Sequence, residues 1–244
     1  MAASARYARI ASLGCALLGV GTAVAACDGA PSAPDAPSVI DTTPATDASV
    51  DARPDAEAEV DAAQVIVADL AGDFSTTSNP NGAWTFGYTP GVPGAEAGTF
   101  VVFSTASEVA AGVTVWFDPT NAVLNAPGVG LNDSGATTNG VAPGEVALHP
   151  GQAGEYAIAR WTAPAAGTYS VEVQFKEGDT GDTDGLLLHN DSVLVTEAST
   201  STSSMHQLSV VMAAGDRLEV AVGNKGDFLF DSTPVIFTIR TSSP

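Results

Sequence analysis

From Tyr169 to Lys176 the chain alternates without a break. Tyr169, Val171, Val173 and Phe175 are apolar, and Ser170, Glu172, Gln174 and Lys176 between them are polar. Successive side chains of a strand point to opposite faces, so this period of two describes a half-buried β-strand and excludes a helix. The pattern returns at Leu208, Val210 and Met212 and at Leu218, Val220 and Val222. Further strands are expected at 64–70, 84–88, 99–103, 113–117, 145–149, 155–162, 185–189, 193–196 and 235–240. Asn190-Asp191 reads as a tight hairpin turn, and Pro164-Ala165-Ala166-Gly167 as another, because these residues supply the dihedrals that turns need. No amphipathic helical stretch of useful length interrupts the series. Roughly a dozen short strands joined by turns bury their apolar faces best by stacking two sheets, so residues 64–244 are expected to form an all-β, two-sheet antiparallel sandwich, a jelly roll.

The N-terminal quarter follows other rules. Arg6 and Arg9 precede an uncharged apolar run from Ile10 to Ala26, short for a membrane span and ending in small residues. That is the pattern of a signal peptide over 1–26. Val24-Ala25-Ala26-Cys27 resembles the bacterial lipobox. The resemblance implies cleavage before Cys27, diacylglyceryl modification of its sulfur and an exported protein held to a membrane by its acyl chains. Cysteine usage agrees: the chain has two cysteines, Cys15 lies inside the apolar run, and Cys27 would be left without an intramolecular partner. Ordinary cleavage nearby, leaving Cys27 a free thiol, is the alternative.

Residues 27–63 are rich in Pro, Ala and Asp, with Arg53 the lone base from Asp28 onward. Such a segment cannot bury enough apolar surface to offset its chain entropy, and it is expected to be a disordered acidic linker. Over the whole chain 28 acids face 8 Lys and Arg, a formal net charge of −20. Nucleic acid is therefore not expected as a partner, and an anionic lipid surface is disfavoured for the same reason. A divalent cation or a neutral polar ligand suits the charge better.

Four stretches carry a second resemblance: NPNGAWTFGY (79–88), LHPG (148–151), EYAIARWTAPAAGTYSVEVQF (155–175) and FLFDSTPVIFTI (228–239). Together they resemble a β-sandwich module of bacterial secreted and surface proteins, itself similar to jelly-roll carbohydrate-binding modules and galactose-binding-like domains. The resemblance implies the sandwich fold and a polysaccharide or surface glycan as partner. It also implies a structural calcium between first and last strands, where Asp73 and Asp231 would meet; Asp231 capping a turn is the alternative.

The chemistry-bearing residues are few. His149, His189 and His206 fall in no zinc-type pattern, and the chain has no nucleophile elbow, phosphate loop or CxxC, so no enzyme is expected. The loop 177–185 gathers Asp179, Asp182 and Asp184. Asp182-x-Asp184-Gly185 matches part of a calcium loop, although Thr180 stands where the first ligand belongs. Calcium is thus the expected cofactor, with ordinary turn composition as the rival explanation. For a ligand the candidates are Tyr88, Trp84, Trp116 and His149. Trp84, Phe86 and Tyr88 share one strand face beside an amide-rich turn, Trp116 has one of two possible faces, and His149 ends a strand before Pro150-Gly151. A buried core position is the competing role for Trp84, and a structural one for His149.

Overall fold

A computed structural model describes residues 64–94 and 99–242; the expected signal segment 1–26, Cys27 and the linker 27–63 lie outside the described residues. The described chain is all-β apart from one short 3₁₀ turn, Thr200–Thr202. Its strands are β1 (Gln64–Asp69), β2 (Trp84–Thr89), β3 (Val101–Val102), β4 (Thr105–Ala110), β5 (Val113–Phe117), β6 (Gly128–Asn132) and β7 (Val146–His149). They continue with β8 (Tyr156–Thr162), β9 (Gly167–Phe175), β10 (Asp184–His189), β11 (Ser192–Glu197), β12 (His206–Met212), β13 (Arg217–Gly223) and β14 (Thr233–Ser242).

These strands form two antiparallel sheets. The larger runs β12-β9-β14-β7-β6-β5-β4, with β1 also on β14, and the smaller runs β11-β10-β13-β8-β2-β3. From β7 onward the chain passes repeatedly between the sheets, which is the winding of a jelly roll. The Asn190-Asp191 turn closes β10 on β11 with φ of 47° and 70°, the left-handed pair of a type I′ hairpin.

The core lies where the alternation placed it. Val171, Val173 and Phe175 of β9 are fully buried, and Phe237 and Ile239 of β14 lie beside them. Facing them from the smaller sheet are Trp84 and Phe86 of β2, Trp161 of β8 and Val220 of β13. The other face of the smaller sheet is also partly covered: Tyr156, Ile158, Leu186 and Leu188 cluster there with Phe100 packed on them. On that face Arg160 of β8 sits opposite Glu219 of β13 and ion-pairs with it, while the Arg160 guanidinium lies 3.6 Å above the Phe100 ring.

Two strands have no counterpart in the sequence reading. β4 is largely exposed, and an edge strand with little to bury shows no apolar alternation. β6 reads Gly-Val-Gly-Leu-Asn: its inward positions, Val129 and Leu131, are apolar, but two of its outward positions carry no side chain.

Candidate functional site

The glycines of β6 shape the outer face of the larger sheet. A Cβ on Gly130 would stand 2.7 Å from Val115 Cγ2, and one on Gly128 would stand 2.8 Å from Val115 Cγ1. The Val115 side chain of β5 therefore lies flat across the two glycines, and the sheet surface is low there. Ala147 of β7, paired with Gly130, adds only a methyl group. The result is a groove of about 230 Å³ floored by β5, β6 and β7.

Two loops wall it. Leu124 and Asn125 come from the β5–β6 connection, and Thr138, Asn139 and Val141 from the β6–β7 connection. Leu124, Asn125 and Asn139 all hold left-handed backbone, with φ of 56°, 63° and 48°. Asparagine tolerates that region, whereas leucine pays strain there, and Leu124 is 78% exposed at the rim. The second loop is pinned from below by Asn132, whose buried amide donates to the carbonyls of Ala136 (2.9 Å) and Val141 (2.8 Å). Among the described residues, the side-chain amides of Asn125 and Asn139 are engaged in no hydrogen bond, so both are available to a ligand.

His149 closes one end, beside Ser232. Its Nδ1 donates to the Pro150 carbonyl at 2.9 Å, and its ring stands edge-on to Phe228 at 6.2 Å. Burial holds its pKa below the usual imidazole value, so the ring is neutral and Nε2 is an acceptor. Among the described residues, no Asp, Glu, Lys or Arg lines the groove. Its chemistry is that of amides, a neutral imidazole and aliphatic surface.

Of the four ligand candidates, then, His149 reaches the groove and the aromatics do not. Trp84 and Trp116 are core residues, 2% and 6% exposed. Each has its indole N–H satisfied inside the fold, Trp84 by Asp73 Oδ2 at 3.1 Å and Trp116 by the Ser75 carbonyl at 2.7 Å. Tyr88 is buried against Phe103, and its hydroxyl donates to Asp118 at 3.4 Å. The reason is topological: these strands present their aromatic face to the opposing sheet. Trp84 touches only the edge of a shallow cleft with Asn81 and Gly82.

The acidic candidates regroup. Asp73 does not meet Asp231. Asp73 Oδ2 accepts the Asp69 amide as well as the Trp84 indole, beside the stretch where Asp69 pairs with Thr238. Asp231 lies before β14 begins, seven residues from Thr238, on the order of 20 Å along extended chain. It meets the 177–185 loop instead. Asp184 is held apart from that group, its carboxylate accepting the Tyr156 hydroxyl at 2.7 Å. Asp179 caps the Thr180 amide, and Asp182 accepts Ser199 Oγ (2.7 Å) and Lys225 Nζ (2.6 Å), which hold its carboxyl below the usual range. Burial, reinforced by Asp227, Asp182 and Asp179, pushes the Asp231 carboxyl up to about 7. Among the described residues no three His, Cys, Asp or Glu side chains already converge as metal ligands.

The sequence reading missed the groove residues Leu124, Asn125, Asn139 and Gly130. One signal was present: Gly128-Val129-Gly130 places two glycines on the same face of an extended segment, a mark of an open or closely approached surface.

No protein-family model and no curated protein sequence matches this chain. Among solved structures it is similar to the CBM51 module of Clostridium perfringens GH95, in complex with methyl-galactose, at 11% identity over 73% of this chain and 100% of that one, TM-score 0.32. It is similar to a CBM35 from Paenibacillus barcinonensis at 19% identity over 57% and 100% of the two chains, TM-score 0.27. A family 35 carbohydrate binding module from Clostridium thermocellum matches at 15% identity over 37% and 72%, TM-score 0.25. Overlays this loose fix neither ligand nor activity.

Proposed function

We propose that this chain is an exported, lipid-anchored, non-catalytic module that binds a neutral carbohydrate in the groove over β5, β6 and β7. The observation that carries the reading is the lining itself. Sugar rings offer apolar C–H faces and hydroxyl edges. Val115 and Leu124 supply aliphatic surface for the first, and the Asn125 and Asn139 amides with His149 Nε2 supply donors and acceptors for the second. Among the described residues, no charged group lines the groove that a neutral ligand would leave unpaired.

The full chain screened against a glycan array is expected to bind a neutral oligosaccharide. Ala147→Trp, which places an indole over Gly130, should weaken that binding at least about tenfold while the melting temperature stays within a few degrees, since Ala147 faces outward from the sheet. Binding that survives the filled groove would overturn the assignment of the site, and a blank array would overturn the ligand class.

The anchor rests on Val24-Ala25-Ala26-Cys27, and the acidic linker would lift the module from the membrane. Cells expressing the chain and fed labelled palmitate should label it, and Cys27→Ser should abolish the label; equal labelling of both would remove the lipid anchor from the reading. A second reading, a structural or adhesive surface protein, draws on β1, where Val65, Ile66 and Val67 are 48%, 56% and 41% exposed on a strand ending the larger sheet's pairing. A blank glycan array together with concentration-dependent association in sedimentation would favour it.

A further inference from the structure

The groove has a direction. Its two walls stand at opposite ends of the strands beneath it: residues 124 and 125 lie where β5 turns into β6, and residues 138–141 where β6 turns into β7. The trough between them therefore runs across the strands, from β4 over β5 and β6 to β7 and Ser232. Neighbouring strands lie about 4.8 Å apart, so these four span on the order of 14 Å. One strand spacing is close to the length of one linked pyranose unit, which makes the trough about three units long.

The end at β4 is built by an irregularity. Glu108 pairs with Thr114 and Ala110 with Val113, which leaves Val109 as the extra residue of a β-bulge. A bulge re-aims side chains, and here the consecutive Val109 and Ala110 both line the groove, where strict alternation would turn one of them away. With Val113 they form an aliphatic end at the sheet edge, Val109 being 42% exposed. The other end is polar and blind. His149 and Ser232 stand there, with the buried Phe228 ring against the imidazole.

The middle of the floor is Val115, Gly128, Gly130 and Ala147, none of which has a side-chain hydrogen-bonding group. A hydroxyl directed down at it would be buried without a partner. Successive rings of a β-1,4-linked chain turn opposite faces to one surface, so a sugar with an axial ring hydroxyl drives that hydroxyl into the floor at every second unit. A ring whose hydroxyls are all equatorial presents C–H to the floor either way up and points its hydroxyls at the walls, where the amides of Asn125 and Asn139 are. On the carbohydrate reading of the groove, on which this inference rests, we propose that the ligand is a β-1,4-linked glycan of all-equatorial rings, bound about three units deep. Its terminal unit lies at His149 and Ser232, and its third unit on Val109, Ala110 and Val113.

Titration calorimetry of the full chain with cello- and xylo-oligosaccharides of one to four units, and with β-1,4-mannotriose as the axial counterpart, tests length and configuration together. In the better-bound series the third unit is expected to raise affinity at least about fivefold and the fourth less than about twofold, with mannotriose at least about tenfold weaker than the trimer. Val109→Asp should abolish the gain from the third unit, and Val113→Thr, which keeps the shape of valine, should reduce it. Val211→Asp, 75% exposed on β12 outside the groove, should keep the whole profile. Positions 109 and 211 are exposed, so the melting temperatures of both Asp variants should stay within a few degrees of wild type. Equal affinity for one and three units, equal affinity for mannotriose, or a third-unit gain that survives both Val109→Asp and Val113→Thr would overturn the proposal and leave a carbohydrate site in place. So would an array that binds some other neutral glycan when neither series binds. No binding of any neutral glycan, in titration or on the array, would overturn the carbohydrate reading itself and this ligand with it.

Discussion

Glu219→Ala is expected to lower the unfolding free energy by about 3–5 kcal/mol, the cost of removing one partner of a buried ion pair. Glu219 is 2% exposed in the middle of β13, opposite Arg160 of β8, and its carboxylate is the counter-charge for that guanidinium. Arg217 Nε, also buried and without a hydrogen bond, lies 4.0 Å from the same carboxylate. Without Glu219, Arg160 keeps only the Phe100 ring beneath its charge, while Arg217 retains its exposed pair with Asp191 at 3.0 Å. Two to four degrees of melting temperature per kcal/mol is usual for a domain of this size, so a drop of roughly 6–20 °C should follow. The double replacement Arg160→Met with Glu219→Leu should recover most of the loss, because the desolvation cost disappears with both charges. A loss under about 1 kcal/mol for Glu219→Ala would mean that water reaches the pair and that it behaves as a surface salt bridge.

Phe237→Ala should cost a similar amount, about 3–5 kcal/mol, by a different mechanism. Phe237 is 1% exposed on β14, between β9 and β1, and its ring meets the edge of Trp84 from the opposing sheet at 5.5 Å. Truncation opens a cavity at the centre of the contact between sheets, where neighbours on two hydrogen-bonded sheets cannot collapse to fill it. Phe230→Ala is the internal control: that ring is 61% exposed, and its removal should change stability by no more than about half a kcal/mol. Urea unfolding of the two variants reads both values directly. Equal effects at the two positions would contradict the assignment of β14's inner face.

The order of those faces was legible before any fold was known. The alternation at Tyr169–Phe175 names its own buried face, and the Asn190-Asp191 turn names its own dihedrals, because both are local: one depends on the pleat of a single strand, the other on the backbone of two residues. The sandwich follows from adding such segments. β4 was invisible because an exposed edge needs no apolar period, and β6 because Gly128 and Gly130 erase the outward half of the pattern. The groove is on β6, so the strand that was hardest to read is the one that shapes the site.

Trp84 and Trp116 show the limit from the other side. Periodicity says that a face is apolar, but not whether the facing surface is a second sheet or solvent; for both tryptophans it is the core. Asp231 shows it again. Its meeting with Gly181, fifty residues earlier, and its separation from Asp73 depend on which loops the winding brings to the same edge. By itself, then, the sequence determined the strands with two-sided patterns, the turns between them and the net charge. Only the tertiary structure decided which aromatic faces were covered, where two glycines left the sheet low, and which carboxylate was buried without a partner. Those outcomes are set by pairings between residues far apart in the chain, and no local period records them.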